Sequence, residues 1–517
     1  MARSEPARTA LAAVLVGAVV TSVGWWRLGP VAARTVWAED GGVFLREHLE
    51  QPWDLLRPYA GYLHLVPRVV VGAAWALPVE HYAVALSLGS CLVVGGAAAL
   101  VTVLARDVVG PWPVRFLLAA VPAVLPLAPH EIAGNAANLH WFLLALAPWL
   151  LAYRPRSWWG STGLAFVTLA VVLTEPLTVL FLPLLLLGWS PTRRRAGRSR
   201  HRAHSASRSG LRPLPVTLAA VLGATAQVVV ASTAERRDAA TTPPHVVDVT
   251  AGWLLQPLGG LLRPRVGDVV RAVLDHGWWV LVVPALAVAA LLAAAVVVGP
   301  ARGGCLVLAL AGGSVTTWSA ALWANGVGVP WATPTEALVG VLPLRYAAAS
   351  GLLLLSAVAT AGGVLVTARG VRVARSARPG FGVGGTGAVA RPVGRHRSGR
   401  TGSGRARWGP ARWGRTGWCP LRTVPVRAGR VRTGGPARVV PTAVGWCAVA
   451  LVVASTVAGT APQVVAHEPP VTRRSAGPAW APQLPAAADT CRSDPDLDVV
   501  RVRIAPWGTA VPCDRLR

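Results

Sequence analysis

The sequence predicts an all-α polytopic membrane protein with about eleven transmembrane helices (10–12), a cytoplasmic N-terminus and a small extracytoplasmic C-terminal tail that contains short strands. The first observation is composition: of 517 residues, 53% are hydrophobic and 14% are charged, with a mean hydropathy of +0.49. Such a chain is too apolar for an ordinary soluble domain. The second is the recurrence of long apolar runs, and the third is the separation of arginine-rich loops from loops that carry carboxylates.

The apolar runs define the spans, because a spanning helix needs about 20 apolar residues and some have only about 17. Leu11 to Trp26 is interpreted as a retained first span, since no small-residue cleavage site precedes Trp25. The run 160–189 is too long for one span and short for two. Arginines flank both of its ends, so two short helices meeting at Glu175-Pro176 are predicted. Single spans are predicted near 9–27, 82–104, 114–129, 138–153, 213–232, 278–299, 303–324, 343–367 and 441–460.

Charge placement predicts the orientation. All 50 basic residues are arginine, and arginine is enriched in cytoplasmic loops. An odd number of spans then places the N-terminus inside and the C-terminal tail outside. Of the 22 acidic residues, only Glu5 and Asp107 fall in the cytoplasm. The stretch from Arg369 to Val440 has 17 arginines and no acidic residue, and we interpret it as a disordered loop near anionic lipid, with no nucleic acid expected as a partner.

These patterns divide the chain into five parts. The tail contains Cys491 and Cys513, and an extracytoplasmic position lets such a pair persist as a disulfide. The parts are a transmembrane core at 1–368 with its first external loop at 28–80, a basic cytoplasmic loop at 190–212, an Arg/Gly-rich loop at 369–440, a last transmembrane helix at 441–460, and an extracytoplasmic tail at 461–517.

The first external loop contains the acidic pair Glu39-Asp40, followed by Gly41 and Gly42. The glycines predict a tight, exposed turn near the membrane surface. Adjacent carboxylates can share a proton or bind a divalent cation such as Mg²⁺ or Mn²⁺, and either use suits activation of a hydroxyl group. The alternative interpretation is a solvated acidic turn without chemistry.

Aromatic and basic side chains follow in the same loop, on two segments predicted to be membrane-surface helices. Arg57 and Arg68 lie on the side of the membrane where arginine is disfavoured, and an anionic phosphate ligand would account for them. The candidate substrate-binding residues of this loop are Arg57, Tyr59, Tyr62, His64 and Arg68.

Five further candidate residues lie at predicted external ends of spans. In the segment HEIAGNAANLHW, Glu131, Asn138 and His140 are polar groups at a helix mouth, although Asn138 can equally be a helix cap. Glu175 lies at the apex of the short hairpin, either facing the protein interior or capping a helix. Arg345 can hold a phosphate, pair with a carboxylate of the acidic pair, or anchor the interface. We expect these groups to converge with the acidic pair on one external cavity.

The motifs AEDGGVFL, PYAGYLHLVPR, NLHW and a late RY at a span mouth resemble a group of actinobacterial membrane proteins of the GT-C superfamily of glycosyltransferases. The resemblance covers most of the chain outside the basic loops. It implies a polyprenyl-phosphate sugar donor, transfer to an envelope glycan, lipid or protein, and a place in the plasma membrane. The mechanism that we favour for such a site is inverting transfer. It also implies that Asp40 or Glu39 is the catalytic base. Assignment of Arg57, Arg68 or Arg345 to the donor phosphate rests on charge and side alone.

A second class of function remains open, that of a non-catalytic carrier or flippase for lipid-linked sugars, or an envelope assembly factor. Transporters place ionisable groups at mid-membrane depth on broken helices, and Glu175-Pro176 is such a feature. The clustering of the other ionisable candidates at the external face favours the enzyme.

Overall fold

The computed structural model describes residues 4–190, 210–233, 244–263, 265–325, 329–341, 343–376, 440–465 and 472–517. The predicted loops 190–212 and 369–440 lie largely outside these residues. The described residues before 373 and after 439 belong to one compact unit. Helices dominate this unit, and one two-stranded sheet lies in the C-terminal tail.

The described α-helices and strands are numbered in chain order. They are α1 Ser4–Ala33, α2 Arg46–Glu50, α3 Leu65–Trp75, α4 Tyr82–Leu104, α5 Trp112–Val124, α6 Leu139–Ala152, α7 Trp158–Val172, α8 Leu185–Trp189, α9 Leu214–Thr233, α10 Val246–Trp253, α11 Gly259–Leu262, α12 Val266–His276, α13 Trp279–Val298, α14 Ala301–Asn325, α15 Arg345–Ser376, α16 Val440–Val465, α17 Leu484–Ser493, β1 Val499–Arg503 and β2 Gly508–Pro512.

Eight helical segments of the described chain are long and apolar enough to cross a membrane. Each coincides with a predicted span, and the outward-facing side chains of several of them are large and apolar, as expected where lipid replaces water. The fold is therefore that of an all-α polytopic membrane protein. The eight segments are Ala7–Ala33, Val79–Asp107, Trp112–His130, Leu214–Thr233, Trp279–Val298, Ala301–Asn325, Arg345–Ala368 and Thr442–Val465.

The predicted span at 138–153 is a shorter central helix. Helix α6 has 14 residues, all of them buried, and is about 21 Å long, whereas the hydrocarbon core of a bilayer is about 30 Å thick. It therefore forms the middle of the bundle, with other helices around it. Its Leu-rich and Trp-rich sequence is apolar on all sides, which suits a helix enclosed by protein.

The predicted break at Glu175-Pro176 is present. Helix α7 ends at Val172, and the next segment begins at Pro176 as a 3₁₀-helix that continues to Leu184 before α8. Pro183 lies inside this second segment and lacks an N–H, so it cannot donate the hydrogen bond that a regular α-helix would need there. The two short arms of the hairpin are therefore one α-helix and one mostly 3₁₀ segment.

Residues 246–262 and 266–276, between α9 and α13, are helical, although no element was predicted for them. Helices α10 and α11 are joined by a π-helical turn at Leu254–Leu258, and amphipathic α12 follows. Asp248 and Gln256 interrupt the apolar run in this region, and hydropathy alone therefore did not identify its helices. Asp248 accepts a hydrogen bond of 2.9 Å from the N–H of Ala332, and Gln256 accepts one of 3.0 Å from Leu344.

Helix α4 extends between two ends of the bundle that differ in their charged residues. Its 23 residues extend about 35 Å. Beyond its C-terminus, Asp107 pairs with Arg156 at 2.6 Å, and Arg156 also accepts a backbone hydrogen bond from Arg212. We call this the basic end. At its N-terminus, the Tyr82 hydroxyl lies 3.3 Å from the backbone oxygen of Asp40, at what we call the acidic end.

The C-terminal tail packs against the first loop at the acidic end. Strands β1 and β2 pair in an antiparallel hairpin, and Cys491 is bonded to Cys513, with their Cα atoms 5.5 Å apart. Ala505 forms a backbone bridge with Trp37, and Thr509 donates a 2.8 Å hydrogen bond to the Gly41 carbonyl. The tail thus covers the loop that carries the acidic pair.

Candidate active site at the acidic end

Asp40 begins a buried π-helical turn and Glu39, which is partly buried, precedes it, so the prediction of an exposed turn is wrong. The turn covers Asp40–Leu45. A Cβ atom at Gly41 would lie 2.8 Å from Ile504, and one at Gly42 would lie 2.6 Å from the Trp507 ring. The glycines are therefore required by the close approach of the tail, which the sequence pattern could not reveal.

Asp40 is 0% exposed, and both of its carboxylate oxygens are occupied. Oδ1 accepts a 2.7 Å hydrogen bond from the N–H of Ala137, and Oδ2 accepts one of 3.2 Å from Ala136. Burial raises the pKa of Asp40 from 3.8 to about 7, although the N–H of Ala137 and the charge of Arg474 act in the opposite direction. Asp40 therefore ties the first loop to the segment that precedes α6.

Glu39 points into a different environment, in an ion-pair network. Its Oε1 lies 3.1 Å from Nη1 of Arg345, and Oε2 is covered but has no hydrogen-bond partner among the described residues. Arg345 also lies 3.8 Å from Glu131, which in turn lies 3.4 Å from Nε of Arg473. Burial raises the pKa of Glu131, and the charges of Arg473 and Arg345 oppose this shift. Of the alternatives for Arg345, the structure has it paired with Glu39.

His140 and Glu175 form a second buried pair. Nδ1 of His140 is hydrogen-bonded to Oε2 of Glu175, whose Oε1 accepts a 2.8 Å bond from the N–H of Leu177. Glu175 therefore both faces the interior and caps the 3₁₀ segment. When Nδ1 donates to a carboxylate, Nε2 is left as the ring nitrogen available to a ligand.

Aromatic rings surround the His140 pair. The ring centroid of His140 is 4.0 Å from Trp141 and 6.1 Å from Tyr62, and Tyr62 is 4.1 Å from His64. Burial and the nearby His140 lower the pKa of His64 well below its ordinary range, so His64 is neutral at physiological pH. Tyr346, beside Arg345, faces Trp141 at 6.0 Å. These rings lie between the His140–Glu175 pair and the network of Glu39, Arg345 and Glu131.

The segment that carries Tyr59, Tyr62 and His64 consists of turns, so its prediction as a surface helix is wrong. Tyr59 and Tyr62 exchange backbone hydrogen bonds across Ala60 and Gly61, both of which have positive φ. Such a two-residue turn is typical of a type I′ hairpin. Helix α3 begins only after His64.

Arg57 and Arg68 are paired with carboxylates of their own loop. Arg68 is buried and its Nη2 lies 2.6 Å from Glu47, while Arg57 lies 2.9 Å from Glu50 and 3.7 Å from Glu47. These partners account for both arginines without a ligand, since opposite charges nearby stabilise a guanidinium, above all the buried one of Arg68. The structure therefore gives no reason to assign either arginine to a phosphate.

Asn138 precedes α6, but its side chain makes no capping hydrogen bond, so the helix-cap alternative is wrong. Its backbone and side-chain N–H groups both donate to Oδ1 of Asn135, at 2.9 and 2.8 Å. Asn135 donates in turn to the Glu131 carbonyl at 2.6 Å. These bonds hold the 131–138 segment in the shape that presents two N–H groups to Asp40.

Arg473 and Arg474 belong to the site and were missed by the sequence analysis. Arg474 is 3% exposed and donates to the carbonyls of Gly134 and Ala133, at 2.9 and 2.6 Å. Burial lowers the pKa of Arg474 to about 10, although the charge of Asp40 opposes the shift. The available signal was an arginine pair in a tail that was predicted to be extracytoplasmic, where arginine is disfavoured.

The carboxylates do not fit the divalent cation that the acidic pair suggested. Asp40 is committed to two backbone N–H groups and Glu39 to Arg345. Within the described ranges, no cluster of three or more His, Cys, Asp or Glu side chains is arranged to hold a metal ion.

The sequence and fold were compared with known protein families, curated proteins and solved structures, and no match was found. The interpretation of the site therefore rests on its own geometry.

Proposed function

We propose that this protein is a membrane glycosyltransferase that moves a sugar from a polyprenyl-phosphate donor to an envelope glycan, lipid or protein acceptor. The observation that carries the proposal is the convergence of Glu39, Glu131, Arg345 and the His140–Glu175 pair at one end of an apolar helix bundle. Ionisable groups within a membrane protein are costly and usually functional. The motif resemblance described above adds the reaction class.

The proposed orientation puts the acidic end on the extracytoplasmic face of the plasma membrane and the basic end in the cytoplasm. Arg106, Arg154, Arg156, Arg212 and Arg302 lie at the basic end, in accordance with the positive-inside rule. Eleven spans result if α6 and the two halves of the α7–α8 hairpin are counted with the eight longer segments. Donor and acceptor then meet outside, where no nucleotide is needed.

In the proposed step, Glu39 is the base. Its Oε2 takes the proton of an acceptor hydroxyl as that oxygen bonds to the anomeric carbon of the donor. The bond from this carbon to the phosphate oxygen breaks, the phosphate leaves with the electron pair, and the configuration inverts. Glu39 is preferred to Asp40 because both oxygens of Asp40 are already occupied. Substrate entry must displace the groups that cover Oε2.

Two other features support a sugar substrate. Arg345 is the arginine of the candidate set that lies beside the proposed base, Glu39, and in the proposal it faces the departing phosphate, whereas Arg57 and Arg68 pair with Glu50 and Glu47 of the first loop. The rings of Tyr62, Trp141 and Tyr346 offer apolar faces between the polar clusters, and such faces pack against the C–H groups of a pyranose.

The decisive experiment measures transfer of radiolabelled sugar from a panel of polyprenyl-phosphate donors in membranes that contain equal amounts of each variant. Glu39→Gln is expected to lower transfer by at least about 100-fold, the usual contribution of a general base. Glu50→Gln, in the same loop but exposed, is the matched control and should retain activity. Undiminished transfer by Glu39→Gln would remove Glu39 from the role of base.

A second candidate function is transport of lipid-linked sugars without catalysis. It is favoured by the burial of the His140–Glu175 pair beside a helix break, an arrangement typical of proton-coupled carriers. Failure of the wild type to transfer sugar from any donor, together with movement of a fluorescent polyprenyl-phosphate sugar across proteoliposome membranes, would select this function.

A further inference from the structure

The outer face of the C-terminal hairpin carries two exposed arginines and little other bulk. In strand β1, Val502 is buried, so the alternate positions 499, 501 and 503 face away from the protein. Arg501 and Arg503 are both exposed, and their Cα atoms are about 7 Å apart, the distance of two residues in a strand. The residues that pair with these three positions across the sheet are Pro512, Ala510 and Gly508.

Arg501 and Arg503 differ from the other arginines of the tail in having no partner for the guanidinium. The tail from 472 to 517 has seven arginines. The five others pair with a carboxylate or donate to backbone carbonyls, and they are Arg473, Arg474, Arg492, Arg515 and Arg517. Within the described part of the chain, Arg503 forms hydrogen bonds only through its backbone, with Gln483, and the Arg501 side chain forms none. Arginine is disfavoured on the external side of a membrane, so two unpaired arginines there require a cause.

An exposed aromatic ring lies at the turn end of the same face. Trp507 belongs to the turn that joins β1 to β2, and 46% of this residue is exposed. One edge of the ring packs against Gly42 of the first loop, where a Cβ atom would lie 2.6 Å from Cε3. The Arg501 side chain extends towards this turn, because its Cγ and Nε lie 3.9 Å from the position of a Cβ atom at Gly508. The exposed surface therefore continues from the arginines to the ring and on to the first loop.

These side chains are suited to an acidic sugar chain. A guanidinium binds two oxygens of a carboxylate or phosphate through parallel N–H groups. The face of an indole ring packs against the C–H groups of a sugar. A lipid surface is a poorer match, because a face that enters a bilayer carries several large apolar side chains, whereas arginine, glycine and alanine dominate this one.

We propose that the outer face of the hairpin, with Arg501, Arg503 and Trp507, binds a glycan chain that carries carboxylate or phosphate groups. The face is open, so a chain can lie across it without displacing protein atoms. Because Trp507 contacts Gly42, three residues after Glu39, a bound chain lies close to the loop that carries the proposed base. The location of this surface outside the cell rests on the proposed orientation, but binding itself depends on neither orientation nor sugar transfer.

The loops 190–212 and 369–440 are rich in arginine and also attract polyanions, so the test must report on the hairpin itself. Full-length protein in maltoside micelles is irradiated with a galacturonic acid tetrasaccharide that carries a diazirine at its reducing end. Crosslinked peptides are mapped by mass spectrometry, and crosslinks are expected within 499–512. The methyl ester of the same oligosaccharide, which has no charge, should label these residues at least about tenfold less. This comparison uses only the wild type.

Variants identify the side chains that bind. Arg501→Gln combined with Arg503→Gln should lower the labelling of 499–512 by the acid at least about tenfold, because the bonds from guanidinium to carboxylate are lost. Trp507→Ala should lower it at least about threefold, because the ring contact is lost. The matched controls are Arg492→Gln, an exposed arginine of the same tail that pairs with Asp489, and Trp53→Ala, a 93% exposed tryptophan of the first loop. Both controls should leave the hairpin labelling unchanged.

Three outcomes would overturn the proposal. The first is equal labelling of the hairpin by the acid and by its methyl ester, and the second is undiminished labelling of either hairpin variant. The third is loss of the hairpin crosslinks when phosphatidylglycerol is added to the micelles at equal charge, because the face would then bind a lipid surface. Sugar transfer is not measured, so each result is distinct from success or failure of the proposed glycosyltransferase activity.

Discussion

Arg345 and Glu39, 306 positions apart in the chain, are joined by an ion pair of 3.1 Å between Nη1 and Oε1. The pair connects the first residue of α15 to the start of the first loop, shortly after the end of α1. It is partly covered, with 34% of the arginine and 12% of the glutamate side chain exposed. A partly buried pair is worth more than one on the open surface.

This relationship predicts energetic coupling between the two residues. In a double-mutant cycle of Glu39→Gln and Arg345→Gln, measured by thermal unfolding in detergent, we expect a coupling free energy of about 1 kcal/mol. The control cycle is Asp268→Asn with Arg271→Gln, an exposed pair at 3.6 Å, whose coupling should be below about 0.5 kcal/mol. Equal coupling free energies in the two cycles would mean that the Glu39–Arg345 pair stabilises the protein no more than an exposed ion pair does.

Asp40 predicts a pH dependence of stability. Burial raises its pKa to about 7 in the folded protein, from an ordinary value of 3.8. Between these pH values the folded state binds more protons than the unfolded state, so this contribution to stability falls as pH rises from about 4 to 7 and is constant above. The Tm of wild type relative to Asp40→Asn, which cannot titrate, should therefore decrease between pH 5 and pH 8. A Tm difference between the two proteins that does not vary with pH would contradict the raised pKa of Asp40.

The contact between Gly42 and the tail predicts a steric effect. Gly42→Ala places a Cβ atom 2.6 Å from the Trp507 ring, so the hairpin must move, at a cost of about 1–3 kcal/mol in the free energy of unfolding. Gly96→Ala, within α4, meets no atom within 4 Å and should be neutral or slightly stabilising. Thermal unfolding of both variants checks this. Rescue of Gly42→Ala by Trp507→Ala would identify the ring as the cause.

The proposed orientation predicts opposite accessibility of the two ends. In a background without the free cysteines, Glu50→Cys at the acidic end should react with a membrane-impermeant maleimide in intact cells. Arg156→Cys at the basic end should react only after permeabilisation. The two side chains are 50% and 61% exposed, so burial does not decide the outcome. The reverse labelling pattern would place the candidate site in the cytoplasm.

The fold class was predictable because the rules that govern it are local. A run of about 20 apolar residues must form a helix in lipid, where each backbone polar group needs an internal partner. The break at Glu175-Pro176 was predictable for the same reason, since proline acts on its own helix. The helices between α9 and α13 were missed because Asp248 and Gln256, whose partners are distant in sequence, interrupt the hydropathy signal.

The candidate site was predictable only as a set of residues. Glu39, Glu131, His140, Glu175 and Arg345 were selected by residue type and position, and the structure joins them in one partly buried network and one buried pair. Their separate roles were not predictable. Asp40 and Glu39 are adjacent in sequence, yet Asp40 is tied to backbone N–H groups and Glu39 to an arginine. Arg57 and Arg68 were misassigned because their partner Glu47 lies in the same loop.

By itself, the sequence determined that this protein is an all-α polytopic membrane protein and which polar residues its apolar helices carry, because hydropathy and charge act through solvent and need no partner. The tertiary structure alone decided which charges meet. Contacts such as Arg474 with Gly134, or Thr509 with Gly41, join segments hundreds of residues apart, and they depend on the packing of every helix between them. The chemistry of the site is therefore a property of the folded chain.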